Sequence, residues 1–223
     1  MNLNRLESLI GTNNLNNIKS KNILIVGIGG VGGYTLETLV RSGVENITII
    51  DYDIIDSSNL NRQIITNLNN IGNLKVEEAY NRYTNINDKL KLKVLPMFLS
   101  SDNIDSINLE EFDYVVDTCD SVNTKVLLIN ECIKKNIKII SSMGTAKKLD
   151  ATKLKITTLN KTSYDKLAKK LRSLIDKSIQ KKLTVVSSTE EVSEINVLGS
   201  TSYVPATAGI LITNYIINDI VNN

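Results

Sequence analysis

Five glycines crowd a short segment directly after an apolar run, and this segment has the composition of a phosphate-binding turn. The run is Ile23 to Val26, which is short and β-branched and therefore typical of a buried parallel strand. Apolar residues at helical spacing follow over 34–41. In such a strand, turn and helix unit, backbone N–H groups meet an anion at the positive end of the helix. The glycines are Gly27, Gly29, Gly30, Gly32 and Gly33.

The glycines are expected to have different tasks. Gly27 would make the tight turn, Gly29 and Gly30 would let N–H groups approach a phosphate, and Gly32 would allow close packing of helix on strand. A second strand, 47–50, ends in Asp51, about 20 residues past the glycines, where a carboxylate can accept from ribose hydroxyls. The alternative is a turn that only packs a helix on a sheet, although five glycines in seven positions are more than packing requires. The pattern does not distinguish NAD, FAD and ATP.

A polar loop and a lysine follow the second strand. In doubly wound sheets, ligands bind outside the carboxyl ends of the strands, so Asn59, Arg62 and Gln63 could present amides and a guanidinium to a triphosphate. The next predicted helix, 74–83, carries Lys75 in its first turn, where a positive charge opposes the helix dipole. This placement favours a phosphate as the partner of Lys75. The alternative is a solvated lysine.

Two carboxylates follow a further buried strand, predicted over 112–116. Asp117 and Asp120 would lie beside the phosphate-binding turn and could hold Mg²⁺, which prefers one or two carboxylates together with phosphate oxygens. The alternative is that Asp120 or Ser121 caps the helix predicted over 123–135. Both roles are compatible.

Composition excludes several classes of function. The 223 residues carry 26 Lys and Arg against 24 Asp and Glu, so a net charge of +2 gives no global argument for nucleic acid or membrane. Without histidine, no imidazole base or His-ligated metal is available. Cys119 and Cys132 are expected to be reduced structural thiols. With no signal peptide and no apolar run near 18 residues, we expect a soluble, cytoplasmic protein without a membrane partner.

The element pattern predicts an α/β fold, a Rossmann-like, doubly wound and mostly parallel sheet. Residues 1–20 should form two short helices separated by Gly11, and 21–150 the nucleotide-binding core. A C-terminal extension over 151–223 should add antiparallel strand 154–159, helices, and substrate-side and dimer-forming surfaces to the same domain.

Three segments of that extension carry separate expectations. Residues 161–182 hold eight Lys and Arg against two Asp and are expected to be helical, either as a solvated face or as a phosphate-backbone contact. Residues 187–199 are expected to form a polar loop. Pro205 should open a final apolar helix to 221, either core or subunit interface.

Several separated motifs together resemble the ThiF-type, ubiquitin-activating-like adenylating superfamily. They are Gly-x-Gly-Gly-x-Gly, Asp51-Tyr-Asp53, Asn-Arg62-Gln63, Lys75-Val-Glu and Asp117-Thr-Cys-Asp120. The resemblance implies an ATP site whose contacts to ATP or Mg²⁺ come from Gly30, Asp51, Ser58, Asn59, Arg62, Lys75 and Asp120. It also implies that Arg5, otherwise a solvated helix charge, reaches the phosphates of a partner subunit in a homodimer.

The second half of the chain is similar to the bacterial tRNA threonylcarbamoyladenosine dehydratases. The matching residues are Ser141 to Gly144, Lys148-Leu-Asp150, Lys161-Thr162, Leu167-Ala-Lys169, Ser202 to Pro205 and Ala208-Gly209. This resemblance implies ATP-dependent activation of the threonyl carboxylate of a modified adenosine in tRNA, then ring closure with loss of water. Leu74 and Ala151 replace prolines usual in these enzymes, and the segment between 188 and 199 is shorter and contains no cysteine.

Three alternatives stay open. An activator of the C-terminal glycine of a ubiquitin-like sulfur carrier would commonly add paired Cys-x-x-Cys zinc motifs or a thioester cysteine, and two unpaired cysteines offer neither. An NAD-linked oxidoreductase agrees with the glycines and Asp51 but leaves Asn59, Arg62, Lys75 and Asp120 unexplained. A non-catalytic scaffold that retains ATP would not need the same charged residues.

Overall fold

A seven-stranded sheet forms the centre of the computed structural model, which describes residues 1–191 and 199–222. The strand order is β3-β2-β1-β4-β5-β7-β6. All neighbours pair in parallel except β6 and β7, which are antiparallel. The strands are β1 Asn22–Val26, β2 Asn46–Ile50, β3 Lys91–Leu95, β4 Tyr114–Asp117, β5 Lys138–Ser142, β6 Leu154–Thr158 and β7 Thr184–Ser188.

Helices cover both faces of this sheet. They are α1 Asn4–Ile10, α2 Thr12–Ser20, α3 Gly32–Arg41, α4 Lys75–Thr84, α5 Val122–Lys134, α6 Lys166–Leu174, α7 Lys177–Gln180 and α8 Tyr203–Asn222. The doubly wound, mostly parallel α/β prediction is therefore confirmed, as are the two N-terminal helices separated by Gly11 and the antiparallel strand after residue 153.

Successive side chains of β1 divide the core into two layers. Ile23 and Ile25 pack in the cluster that contains α3, α4 and α8, whereas Leu24 and Val26 pack in the cluster that contains α5 and α6. This alternation follows from the period of two along a strand. Because both faces are covered, β1 is apolar throughout its buried length, as a central parallel strand must be.

Strand β7 corrects the predicted loop over 187–199. Ser187 and Ser188 end this strand, and both are buried although their hydroxyls make the sequence look like a loop. Ser187 pairs with Lys155 and Ser188 with Leu154 of β6, a non-local contact that composition does not reveal. Residues 189–191 and 199 are in neither helix nor strand, as predicted, and residues 192–198 lie outside the described residues.

The basic stretch is also less regular than predicted. Instead of one helix over 161–182, the chain forms α6 and the single turn α7, with extended backbone at Ile175 between them. The Asp165 carboxylate accepts from the Ala168 N–H at the start of α6, and the Asp176 carboxylate accepts from the Ser178 N–H at the start of α7. Each aspartate is therefore an N-cap, so two helices begin within the stretch that the sequence predicts to be one helix.

Helix α8 is long and apolar enough to cross a membrane by length and composition, with 20 residues and a mean hydropathy of 1.3. The expectation that no segment has this character is therefore wrong. Half of α8 is buried in the fold, and it packs closely on α3, where the Thr38 and Thr213 hydroxyls are 2.6 Å apart. A Cβ on Gly209 would lie 2.4 Å from the Val31 carbonyl oxygen. Its apolarity is accounted for by this packing in the core.

Candidate nucleotide-binding site

The glycine turn after β1 is built from close backbone contacts. Gly27 has φ +88°, and its N–H donates to the Ile50 carbonyl at 2.8 Å. A Cβ on Gly32 would lie 1.9 Å from the Gly27 carbonyl oxygen, so only glycine lets α3 start against this turn. Gly29 is different, since the nearest atom to a Cβ there is the Gln63 Nε2 at 3.8 Å. Space above Gly29 is therefore open to a ligand.

A cavity of about 740 Å³ opens at the carboxyl edge of the sheet, directly over this turn. Its volume lies within the range of small-molecule and cofactor sites. Ten of the sequence-predicted residues line it: Gly27, Gly29, Gly30, Asp51, Ser58, Asn59, Arg62, Gln63, Lys75 and Asp120. Gly32 is not in the lining and instead supports the turn from below. Arg5 is also outside the lining, exposed on α1.

Asp51 ties the turn to the end of β2. Its Oδ2 accepts from the Ile28 N–H at 2.7 Å, and its Oδ1 accepts from the Asp53 N–H at 2.9 Å. Burial raises the pKa of this carboxyl, an effect that the Lys75 charge opposes in part. Each carboxylate oxygen can accept a second hydrogen bond. Asp51 can therefore support the turn and still accept from a ligand hydroxyl.

Lys75 is buried and paired, which rules out the solvated alternative. Its side chain is 5% exposed, and its ammonium lies 2.6 Å from the Asp53 Oδ2 at the cavity wall. The Lys75 N–H also donates to the Asp53 carbonyl at 3.0 Å, so the start of α4 is fixed against the loop after β2. The positive charge is therefore held at the site with little conformational freedom.

A 3-10 turn, Ser57–Asn59, positions the guanidinium of Arg62. The turn is closed by a capping box in which Asp56 accepts from the Ser58 N–H and Asn59 accepts from the Asp56 N–H. Arg62 Nη1 then donates to the Ser58 carbonyl at 2.7 Å. Nη1 also donates to the Asn61 Oδ1 at 3.0 Å, which leaves the Nε and Nη2 N–H groups for a bidentate contact with phosphate oxygens.

Gln63 leaves a polar atom unpaired inside the protein. The side chain is 6% exposed, and its Oε1 has no hydrogen-bond partner among the residues that the structure describes. A buried acceptor without a partner costs about 1–3 kcal/mol. Gln63 faces the cavity through its Nε2 instead, which lies 3.8 Å from the position of a Cβ on Gly29.

Asp117 corrects the predicted pair of metal-binding carboxylates. It is fully buried at the end of β4, and the Lys125 ammonium lies 3.0 Å from each of its carboxylate oxygens. The Ser141 hydroxyl donates to the same carboxylate at 2.6 Å. Asp117 is absent from the cavity lining, because its side chain points under α5 instead of over the turn. No charge pattern in the sequence singles out Lys125 as its partner.

Asp120 does reach the cavity. It is exposed there, while the cap of α5 is made by Ser121, whose hydroxyl accepts from the Thr124 N–H at 3.3 Å. The capping alternative therefore belongs to Ser121. A single carboxylate at the cavity is enough to hold Mg²⁺ when phosphate oxygens supply other ligands.

The two cysteines are unsuited to nucleophilic chemistry. Cys119 lines the cavity, but burial and then the Asp117 charge raise the pKa of its thiol far above the ordinary range. Burial raises the pKa of Cys132 to about 12. Because the thiolate is the reactive form, neither sulfur is activated at neutral pH.

An aromatic pair at the cavity is absent from the sequence-based prediction. Tyr52 and Phe98 meet edge to face with ring centroids 5.2 Å apart, and both line the cavity while about half exposed. Phe98 follows β3, and β3 pairs with β2, the strand before Tyr52. Strand order alone brings these two loops together, so no local signal in the sequence could identify the pair.

Comparison with known proteins identifies the family of this chain. A family model described as the ThiF family matches residues 2–222. The tRNA threonylcarbamoyladenosine dehydratase of Bacillus subtilis (strain 168) is 32% identical, covering 98% of this chain and 94% of its own. The enzyme of that name from Escherichia coli (strain K12) is 37% identical over 74% of this chain and 61% of its own length.

A solved structure overlaps nearly the whole fold. The E. coli tRNA N6-threonylcarbamoyladenosine dehydratase TcdA, crystallised in complex with ATP, superposes with a TM-score of 0.93 at 30% identity. The superposition covers 99% of this chain and 93% of that one. With a family match over nearly every residue and a full-length relative above 30% identity, the chain belongs to the ThiF family.

Proposed function

We propose that this protein is an ATP-dependent tRNA threonylcarbamoyladenosine dehydratase. It would adenylate the threonyl carboxylate of the modified nucleoside and promote ring closure with net loss of one water. The observation that carries the proposal is the cavity, which gathers the glycine turn, Lys75 and Arg62 on a chain that overlaps the ATP-bound E. coli enzyme at a TM-score of 0.93. The same proposal makes tRNA the partner of a soluble, cytoplasmic homodimer.

The cavity has the features that ATP requires. The open space above Gly29 admits a phosphate close to backbone N–H groups, and the Gln63 Nε2 borders the same space as a further donor. Lys75 and Arg62 both supply positive charge to the cavity. Asp51 has acceptor capacity for a ribose hydroxyl.

Mg²⁺ also fits the donors present. Asp120 would hold it together with phosphate oxygens of the nucleotide, since Mg²⁺ is commonly bound by one or two carboxylates plus phosphates. When bound, such an ion neutralises part of the negative charge on the triphosphate. Asp117 takes no part, because it is paired with Lys125.

The protein's own residues would mainly align two anions. A carboxylate oxygen of the threonyl group forms a bond to the α-phosphorus, and the bond from that phosphorus to the leaving oxygen breaks, releasing pyrophosphate. Arg62 and Lys75 would stabilise the charge that develops on the phosphate oxygens. The carboxylate is already ionised at neutral pH, so this step needs no histidine base.

Ring closure would follow on the same threonylcarbamoyl unit. A neighbouring group of that unit attacks the activated acyl carbon and gives up its proton to solvent. The bond from that carbon to the bridging oxygen breaks, and AMP leaves with the oxygen that the carboxylate loses. An intramolecular attack has a high effective molarity, so no covalent enzyme intermediate is needed. The partly buried, unactivated Cys119 agrees with this course and disfavours the sulfur-carrier alternative, which often proceeds through a thioester.

The decisive experiment incubates the protein with Mg-ATP and tRNA that carries threonylcarbamoyladenosine, then digests the tRNA and weighs the nucleosides. The expected product is lighter by one water, with AMP and pyrophosphate released in equal amount. The matched control is the same tRNA without the modification, which should give neither product. Unchanged nucleoside, with pyrophosphate exchange only when a sulfur carrier is added, would overturn the proposal; tight NAD binding without ATP binding would do so too.

A further inference from the structure

The exposed lysines of the extension form a basic surface that the proposed chemistry does not use. We define this basic surface as the seven exposed lysines Lys161, Lys166, Lys169, Lys170, Lys177, Lys181 and Lys182. Together with the half-buried Arg172 and two aspartates, residues 161–182 carry +6, whereas the whole chain carries +2. The remaining residues therefore carry −4. Positive charge is concentrated on one part of a chain that is otherwise acidic.

The lysines of α6 share one face of that helix. Lys166, Lys169 and Lys170 follow the i, i+3, i+4 spacing of a single helix face, while Ala168 and Leu171 are buried against the core. Across residues 1–191 and 199–222, no salt bridge is recorded for any lysine of the basic surface. The two nearby aspartates are occupied as helix caps. The face thus presents uncompensated positive charge to solvent.

The basic surface is anchored to the wall of the cavity. The Gly144 N–H donates to the Asp165 Oδ2 at 2.9 Å, while Asp165 Oδ1 caps α6. Thr145 and Ala146, which follow Gly144 directly, line the cavity. The start of α6 is therefore tied, through Asp165 and Gly144, to a segment that lines the proposed ATP site.

An aromatic ring lies at this junction. Tyr164 is 55% exposed, and its backbone has the left-handed φ of +51° that residues other than glycine rarely adopt. The buried Lys148 donates from its ammonium to the Tyr164 carbonyl at 3.1 Å. Asp165 is fixed on the other side by its bonds to Gly144 and Ala168. The fold holds this conformation and leaves the ring in solvent.

We propose that the basic surface docks an RNA backbone, with Tyr164 stacking on an unpaired base where that RNA reaches the cavity. The inference rests on the proposed function, since it assigns the surface that would bring the tRNA to the ATP site. Lysines track phosphates without reading sequence, and exposed aromatic rings stack on splayed bases of single-stranded loops. The two features together match an RNA stem that ends in an open loop.

Binding of tRNA to a triple variant at several salt concentrations tests the lysines. Lys166→Gln/Lys169→Gln/Lys170→Gln should weaken binding of unmodified tRNA about tenfold or more near physiological salt and lower the salt slope by roughly 2 to 3. ATP affinity should not change. The matched control is Lys89→Gln/Lys91→Gln/Lys93→Gln, which removes three exposed lysines at the opposite edge of the sheet. Equal tRNA affinity and slope in the two triple variants would overturn the proposal.

Two further measurements separate the kind of partner and the role of Tyr164. Polyglutamate of matched charge should bind at least about tenfold more weakly than tRNA; equal binding would identify a surface for acidic protein and overturn the RNA assignment. Tyr164→Leu should weaken tRNA binding severalfold, and Tyr164→Phe should restore it, because the ring is what stacks. Wild-type affinity in Tyr164→Leu would overturn the stacking role.

Failure here is distinguishable from failure of the proposed function. Docking is measured with unmodified tRNA and needs no turnover, whereas the proposed function is measured by the mass of the product nucleoside. If the triple variant loses tRNA affinity while wild-type protein leaves the nucleoside unchanged, the docking surface stands and the reaction does not. If the wild-type protein removes water from the nucleoside but the triple variant binds tRNA with wild-type affinity, the proposed reaction stands and the docking surface does not.

Discussion

At the scale of single residues, the charged side chains of the cavity differ in how firmly they are held. Lys75 is almost fully buried and paired with Asp53. Arg62 is held by the Ser58 carbonyl and the Asn61 Oδ1 but is only half buried. Asp120 is exposed, and no hydrogen bond from it to another described residue is recorded. Arg62 and Asp120 therefore contribute little to folding and can be tested for function directly.

Arg62→Ala and Asp120→Ala should each lower AMP release by at least about a hundredfold, because each removes a group that aligns or neutralises the triphosphate. Urea unfolding should give free energies within about 0.5 kcal/mol of wild type. Asp105→Ala, at an exposed aspartate remote from the cavity lining, is the matched control and should release AMP normally. Near-normal turnover in either variant would remove that residue from the proposed mechanism.

Cys119 provides a test between the dehydratase and a thioester mechanism. Since burial and the Asp117 charge keep its thiol protonated at neutral pH, Cys119→Ala should retain turnover within about threefold. Iodoacetamide should likewise label the native protein slowly at pH 7 and label it rapidly in urea. Loss of AMP release in Cys119→Ala, with unfolding unchanged, would restore the thioester alternative.

At the scale of elements, two glycines of the turn after β1 serve different purposes: Gly29 leaves space for a ligand, and Gly32 allows α3 to pack against the turn. Gly29→Ala adds a Cβ into open space at a backbone conformation that alanine can adopt, so stability should change by less than about 0.5 kcal/mol. ATP affinity should still fall at least about tenfold, because the methyl group occupies the approach to the phosphates. Isothermal titration and urea unfolding measure the two quantities.

Gly32→Ala is the contrasting variant in the same turn. Its Cβ would lie 1.9 Å from the Gly27 carbonyl oxygen, so α3 must move and unfolding should become easier by about 2 kcal/mol or more. Normal ATP affinity in Gly29→Ala would show that the open space is not used by phosphate.

Two helices that start at the cavity are also linked to each other by a buried carboxylate. Glu37 on α3 accepts from Arg82 of α4 at 2.9 Å and from Arg41 of its own helix. Burial raises the pKa of the Glu37 carboxyl, but the hydrogen bonds from Arg41 and Arg82 outweigh burial and hold the pKa below its ordinary 4.5. The contribution of Glu37 to stability is therefore present above pH 4.5 and lost as the pH falls below it.

Glu37→Gln should accordingly cost on the order of 1 kcal/mol at pH 7, a modest value because both guanidinium groups are partly exposed to solvent. The difference from wild type should shrink as the pH falls from 5 towards 3. Urea unfolding across this range measures it, with the exposed Glu77→Gln as control. A difference that grows on acidification would contradict the sign of the shift.

At the scale of the whole molecule, Arg5 tests whether a site is completed by a second subunit. Arg5 lies on α1, exposed and outside the lining of the cavity of its own chain. If it acts on the partner's site, Arg5→Ala and Arg62→Ala should each be inactive alone. After unfolding and refolding in an equal mixture they should regain about a quarter of wild-type AMP release, since half the dimers are mixed and each mixed dimer has one intact site.

The same mixture carries its own control. Arg62→Ala refolded with Asp120→Ala should stay inactive. Both residues line the cavity of their own chain, so in a mixed dimer each subunit has one damaged site. Recovery with Asp120→Ala, or no recovery with Arg5→Ala, would contradict the action of Arg5 across subunits.

The sequence by itself determined the elements whose signals are local. The apolar run, the glycines and Asp51 specify a strand, a turn and the next strand through short-range sterics, and the ThiF family motifs follow at fixed spacing. Ten of the predicted residues meet at one cavity, because parallel strands place their carboxyl ends at one edge of the sheet.

Only the tertiary structure decided which charged side chains face the cavity and which form buried ion pairs within the fold. Asp117 and Asp120 look alike in sequence, yet Asp117 is buried against Lys125 and Asp120 is open to the cavity. Ser187 and Ser188 look like loop but extend β7 along β6. These outcomes depend on contacts between residues far apart in the chain, and burial in such contacts reverses the usual preference of a polar side chain for water.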